Sequence, residues 1–139
     1  MKTKYSQLVK IRKQKVDSIE NIIAVLNRYK ENLKSDIESL LSDIKRLEVP
    51  KKGEFLNYLS KNYTFDTLMS QKKEKQRQLE QKNQEIKIAQ QEYKKAMMEY
   101  EKIKYLEDTI IQKRIKKMQK DEEKILDEVS VLTYKRRSI

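Results

Sequence analysis

The stretch "VKIRKQKVDSIENIIAVLNRYKENLKSDIESLLSDIKRL", residues 9–47, decides the fold. Val9, Val16, Ile23, Ile37 and Ile44 occupy one position of a seven-residue repeat, and Ile19, Leu26, Leu33, Leu40 and Leu47 occupy a second. Only Arg12 and Lys30 interrupt the two series. Such a repeat gathers the apolar side chains into a narrow seam along an α-helix, and a seam of that width is covered by another helix rather than by a sheet. The rest of the chain must supply that cover.

Composition limits how it does so. The 139 residues include one Gly and one Pro, and 40% are charged, so there is little turn chemistry and room for only one or two chain reversals. Pro50 and Gly53 lie together in "EVPKKGEFLNYLSKNYTFD", residues 48–66, where Asn62 and Thr64 offer a stop and a fresh N-cap. The expected architecture is all-α: a long antiparallel two-helix coiled-coil hairpin forming a single domain over 1–139. Helix 1 is expected over about 2–48, a tip over 49–64 and helix 2 over about 65–135. Phe55, Leu56, Leu59, Tyr63 and Phe65 would form a short helix or loop over the apolar end of helix 1.

Antiparallel pairing brings the apolar positions together in one register. It sets Leu47 against Phe65, Ile44 against Leu68, Leu33 against Leu79, Leu26 against Ile86, Ile23 against Ala89, Ile19 against Tyr93, Val16 against Ala96 and Val9 against Ile103. It also sets Arg12 beside Tyr100, a cation–π arrangement, and Leu40 and Ile37 against Lys72 and Lys75. The stretch "QKKEKQRQ", residues 71–78, should therefore pair weakly, with lysine stems covering apolar surface. Helix 1 runs out opposite about Ile111. Residues 112–139 are then expected to overhang as a nearly straight single helix, preceded by a lapse of the repeat around 107–115.

The charge is concentrated at that open end. Segment 1–15 holds six basic residues and no acidic one, and 112–139 holds nine basic and five acidic. Residues 16–111 are almost balanced, with 18 basic and 17 acidic. A basic surface gains favourable field only against a negative partner. The overhang also carries an apolar stripe of Ile111, Ile115, Met118, Ile125, Val129 and Leu132, which DNA would satisfy poorly, and no nucleic-acid-binding motif is present, so nucleic acid is not expected. An acidic protein cavity fits both properties, and homodimerisation through the stripe, as in a structural scaffold or a chaperone, remains the alternative.

Chemistry is hard to place in this chain. There is no Cys and no His, hence no thiolate and none of the commonest general base; no enzyme activity, cofactor or metal is expected. Of Asp121, Glu122, Glu123, Asp127 and Glu128, all but Glu122 lie three or four residues from one of Lys117, Lys120 and Lys124, a spacing for solvated ion pairs along a helix rather than for a cation site. Met69, Met97 and Met98 read as gap filling beside Ala89 and Ala96. No apolar run approaches the ~20 residues of a membrane helix, and the start lacks a signal-peptide core, so the default location is the cytoplasm.

Both ends resemble a known family. "YSQLVKIRKQKVDSIE", residues 5–20, is similar to the opening of the flagellar export protein FliJ family, with Tyr5, Leu8, Ile11 and Arg12 in the places of its aromatic, leucine-like and basic residues. "YEKIKYLEDTIIQKRIKKMQKDEEKILDEVSVLTYKRR", residues 100–137, resembles that family's closing helix: an acidic, basic and apolar run from Asp121 to Lys124, then Leu126, Asp127 and Glu128, then Arg136 and Arg137. The resemblance implies a non-enzymatic stalk, similar to that of rotary ATPases, whose joined ends enter the hexameric type III export ATPase. The implied ATPase-binding residues are Lys113, Arg114, Lys116, Lys117, Met118, Ile125, Val129, Leu132, Arg136 and Arg137. It further implies contact with the cytoplasmic domain of the export gate and with export chaperones, and thereby a peripheral position at the inner face of the cell membrane. The gate-contact positions fall on Asp36, Leu40, Asp43 and Leu47 of helix 1 and on Phe65 and Leu68 of helix 2. At the first four this chain carries acidic and aliphatic side chains where the family uses amides and aromatics.

Overall fold

A computed structural model describes residues 1–47 and 55–137, with side chains over 1–47 and 59–136. Its two elements are α1, Ser6–Arg46, and α2, Phe55–Arg137, and among the described residues there is no strand. The two long helices pack against each other, an all-α coiled-coil hairpin. They form two units, each built from a stretch of both helices: Met1–Val16 with Lys95–Ile139, and Asp17–Lys94.

In the unit Asp17–Lys94, Ile19 and Leu33 of α1 and Ile86 and Ala89 of α2 are buried. Each large side chain removed from water in this way contributes roughly 1.5–3 kcal/mol. The pairing is antiparallel: the Lys82 ammonium sits 4.8 Å from the Tyr29 ring centre, and Lys75 Nζ lies 3.3 Å from Asp36. Both contacts fall within one residue of the register expected from the apolar positions. Beyond Leu33 no described residue of α1 is fully buried; Ile37, Leu40, Ile44 and Leu47 are half-covered, opposite half-buried Lys72 and Lys75. This is the weaker pairing that the lysine-rich stretch predicts: long lysine side chains, one of them ending on Asp36, stand where apolar ones would close the seam.

In the unit containing both termini, Val16 and Ala96 are buried. Arg12 Nη1 lies 3.1 Å from Glu99 Oε2, and the Lys13 ammonium sits 5.5 Å from the Tyr100 ring centre. The expected Arg12–Tyr100 pair is thus replaced: a carboxylate one residue away outcompetes the ring for the guanidinium, and the ring takes the neighbouring lysine.

Two boundary expectations are corrected. The second helix starts at Phe55 rather than near Phe65, so Asn62 and Thr64 neither stop one helix nor start another. Thr64 Oγ1 donates to the Ser60 carbonyl at 3.0 Å and Thr67 Oγ1 to the Tyr63 carbonyl at 2.9 Å; each hydroxyl is satisfied by the preceding turn, which removes the reason for a cap there. Leu59, Tyr63 and Phe65 do not cover the end of α1, since they are 49%, 76% and 41% exposed. Residue 48 at the expected end of helix 1 and the part of the expected tip at 49–54 lie outside the described residues, as do the side chains of Phe55 and Leu56.

The start of α1 is held by a reciprocal cap. Thr3 Oγ1 accepts the Tyr5 N–H at 3.1 Å, the Thr3 N–H donates to Ser6 Oγ at 2.8 Å, and the Ser6 N–H reaches the Thr3 carbonyl at 3.1 Å. This is a capping box with Ser6 in the place usually taken by Glu.

Candidate partner-binding surface

The terminal unit places the expected ATPase-binding residues on one uninterrupted stretch of α2. Cover from α1 ends where Arg114 Nη1 donates to the Lys2 carbonyl at 2.6 Å. Ile115 is half-buried, and from Lys116 to Arg136 every side chain is exposed. No Gly or Pro interrupts the segment, and the helix continues through it to Arg137.

On that helix Met118, Ile125, Val129 and Leu132 follow one another at seven, four and three residues and share a face. They are 54%, 59%, 53% and 61% exposed. Leu126, Val131 and Tyr134 add apolar surface off that face, and Val131 and Leu132 help line a shallow groove of about 520 Å³ with Lys124, Asp127 and Glu128. Lys113, Arg114, Lys116, Lys117 and Arg136 are exposed beside the stripe, while the side chain of Arg137 lies outside the described residues. Among the described residues, Asp121, Glu122 and Glu123 form no ion pair with Lys117, Lys120 or Lys124, contrary to the expectation from spacing. Fully exposed carboxylates and ammonium groups stay hydrated, because an exposed pair gains little over water.

The unit carries most of the charge: by sequence its two segments hold 18 basic and nine acidic residues, against 15 and 13 in Asp17–Lys94. Its one buried charged residue is Glu107, among the described residues. Thr3 Oγ1 donates to Glu107 Oε2 at 3.2 Å and Lys104 Nζ lies 3.5 Å from Oε1. The Ser6 hydroxyl, together with Thr3 and Lys104, holds this carboxyl below the usual carboxylate range, against burial, which pushes it up. Sequence reasoning passed over Thr3, Ser6 and Glu107. The Thr3-x-x-Ser6 spacing and an acidic residue at a core position of α2 were the available signals.

The expected gate-contact residues lie together in the other unit. Asp36 and Asp43 are exposed, Leu40, Leu47 and Leu68 are half-buried, and Phe65 is exposed. Asp36, Ser39 and Leu40 of α1 and Gln71 and Lys75 of α2 line a groove of about 500 Å³. Asp36 and Leu40 thus share a concavity, though Lys75 already pairs with Asp36.

Two packed helices, with an exposed amphipathic segment of α2 in the terminal unit, agree with the resemblance of the two ends, and a family model, Flagellar FliJ protein, matches residues 1–138. The chain belongs to the flagellar FliJ protein family. FliJ-family membership makes it a component related to flagellar type III export, in a family whose role there is non-catalytic. No curated protein and no solved structure matches it. Among the described residues no helix is long and apolar enough to cross a membrane, and no group of three His, Cys, Asp or Glu could hold a metal ion.

Proposed function

We propose that this chain is the non-enzymatic central stalk of a flagellar-type export ATPase complex. Its N- and C-terminal end enters the ATPase hexamer, and its hairpin links that enzyme to the cytoplasmic domain of the export gate and to export chaperones. It is held at the inner face of the membrane by these partners. The observation that carries the reading is the stripe of Met118, Ile125, Val129 and Leu132, exposed on a helix that α1 does not reach, in the unit where basic residues outnumber acidic ones two to one. A lined cavity with acidic groups would bury the stripe and neutralise Lys113, Arg114, Lys116, Lys117, Arg136 and Arg137. Asp36, Leu40, Asp43, Leu47, Phe65 and Leu68 are the proposed contacts to the gate.

The test is a chain lacking 112–139, assayed for binding and activation of a hexameric export ATPase, with helicity followed by circular dichroism. Loss of binding with the hairpin still folded is expected. A truncated chain that still binds and activates would overturn the reading. Reversing Lys113, Arg114, Lys116 and Lys117 should weaken binding with strong salt dependence, whereas Asp at Ile125 and Leu132 should weaken it at every ionic strength, because only the charge contribution is screened.

The same exposed stripe is chemically suited to a second copy of itself, which favours a dimeric scaffold or chaperone as the alternative. Sedimentation at micromolar concentration separates the two readings. A stable dimer that truncation at Ile111 abolishes would replace the stalk, and a monomer would exclude the scaffold.

A further inference from the structure

We propose that Glu107 is the positioning residue of a latch that fastens the first turn of α1 onto α2 and so decides where the unpaired part of α2 begins. Four observations within the terminal unit converge on it. Glu107 is only 7% exposed, at a place in the repeat where an apolar residue would ordinarily sit. Its Oε2 accepts from the Thr3 hydroxyl at 3.2 Å. Thr3 is at the same time the cap of α1, its Oγ1 accepting the Tyr5 N–H at 3.1 Å while its own N–H donates to Ser6 Oγ at 2.8 Å. About two turns further along α2, Arg114 donates to the Lys2 carbonyl at 2.6 Å.

These contacts share one logic. A cap closes a helix end by satisfying its free N–H groups, and it does so equally well wherever that end points. Here the capping hydroxyl also donates to the other helix, so closing the end and docking it are one event. Neutral hydroxyls meeting an ionised carboxylate form charge-assisted bonds, stronger than those between neutral groups. The charged neighbours of Glu107 are Lys104 and, through Lys104, Asp108 at 3.5 Å, both on α2; α1 faces it with Thr3 and Ser6. No cation from α1 is paired with it among the described residues, so the hold of Glu107 on this end is the bond from the Thr3 hydroxyl.

When the latch is closed, Tyr5, Leu8 and Val9 of α1 and Ile103, Ile110 and Ile111 of α2 are half-buried. Opening it peels back the first turns of α1 and exposes the α2 side chains, lengthening the apolar stripe that now starts beyond Ile115. The latch therefore sets the length of helix open to a partner. This holds whichever partner takes the stripe, and its test needs none.

Amide hydrogen exchange on the full chain reads it directly. Glu107→Ala should speed exchange of the amides of Tyr5, Ser6 and Val9 by about tenfold, the scale of one lost hydrogen bond, and leave the amides of residues 19–33 unchanged. Glu107→Gln keeps an acceptor for Thr3 and should retain most of the protection. Thr3→Val, which removes the capping hydroxyl, should match Glu107→Ala. Unchanged exchange at residues 5–9 in Glu107→Ala would overturn the proposal. So would a uniform acceleration that includes residues 19–33, which would make Glu107 a general stabiliser.

Discussion

The Arg12 guanidinium lies 3.1 Å from the Glu99 carboxylate, spanning the two helices at a position where the repeat calls for an aliphatic side chain. The pair is about one-third exposed on each side, and Arg12 Nε is buried with no hydrogen-bond partner. A half-wet ion pair of this kind contributes little, and the unmatched Nε costs something.

Replacing Arg12 by Leu is therefore expected to stabilise the hairpin by about 1 kcal/mol, since an aliphatic residue completes the seam and releases the unsatisfied donor. Thermal unfolding followed by circular dichroism should show a higher Tm. Glu99→Ala should lower stability by less than about 1 kcal/mol, as an exposed carboxylate pair does. A large loss in Arg12→Leu would mean that the pair, not the seam, holds this part of the shaft.

Leu33 is 2% exposed and stands last in the buried series of α1. Leu33→Ala should cost about 2–5 kcal/mol by lost transfer energy and the remaining cavity, measured by denaturant titration. Leu40→Ala, in the half-covered stretch opposite Lys72, should cost clearly less, because solvent already reaches the site.

The stripe beyond Ile115 makes a sharper contrast. Asp at both Ile125 and Leu132 should leave the denaturation midpoint within about 0.5 kcal/mol of the unmodified chain, since neither side chain is covered in the free protein. A loss of several kcal/mol would mean that the stripe is already buried in solution.

Glu107 gives the pH dependence a definite sign. Its carboxyl is held below the ordinary range in the folded chain, so the unfolded chain takes up the proton first as pH falls. The stability it contributes is complete above the ordinary glutamate pKa of ~4.3 and is lost as pH drops through the lower folded value. Tm measured across that acid window should fall less steeply in Glu107→Gln than in the unmodified chain. Glu74, lowered by its bonds to Arg77 and Gln78, shifts in the same direction but lies exposed on the surface of α2, so its share should shrink in high salt.

Periodicity and the scarcity of breakers were enough to read α1, the antiparallel pairing and a register that the contacts of Tyr29, Asp36 and Arg12 meet within one residue. They were also enough to read that α2 outruns α1. The start of α2 was not legible, because Asn62 and Thr64 serve equally as cap residues or as helical residues whose hydroxyl returns to the turn before, and only the continuing helix selects the second. Arg12 was assigned to Tyr100 because register ranks neighbours along the chain without saying which of two adjacent partners a long side chain reaches.

By itself, then, the sequence determined an all-α pair of helices, their direction and alignment, and a basic amphipathic end without a partner in its own chain. Those properties follow from the spacing of side chains along a regular helix, which is local. Only the tertiary structure decided that Lys13 takes Tyr100, that Thr3 caps α1 and docks it in one contact, and that Glu107 is buried with Lys104 beside it. These depend on reach and competition between helices, where a displacement of one residue changes the partner while leaving the pattern of apolar positions untouched.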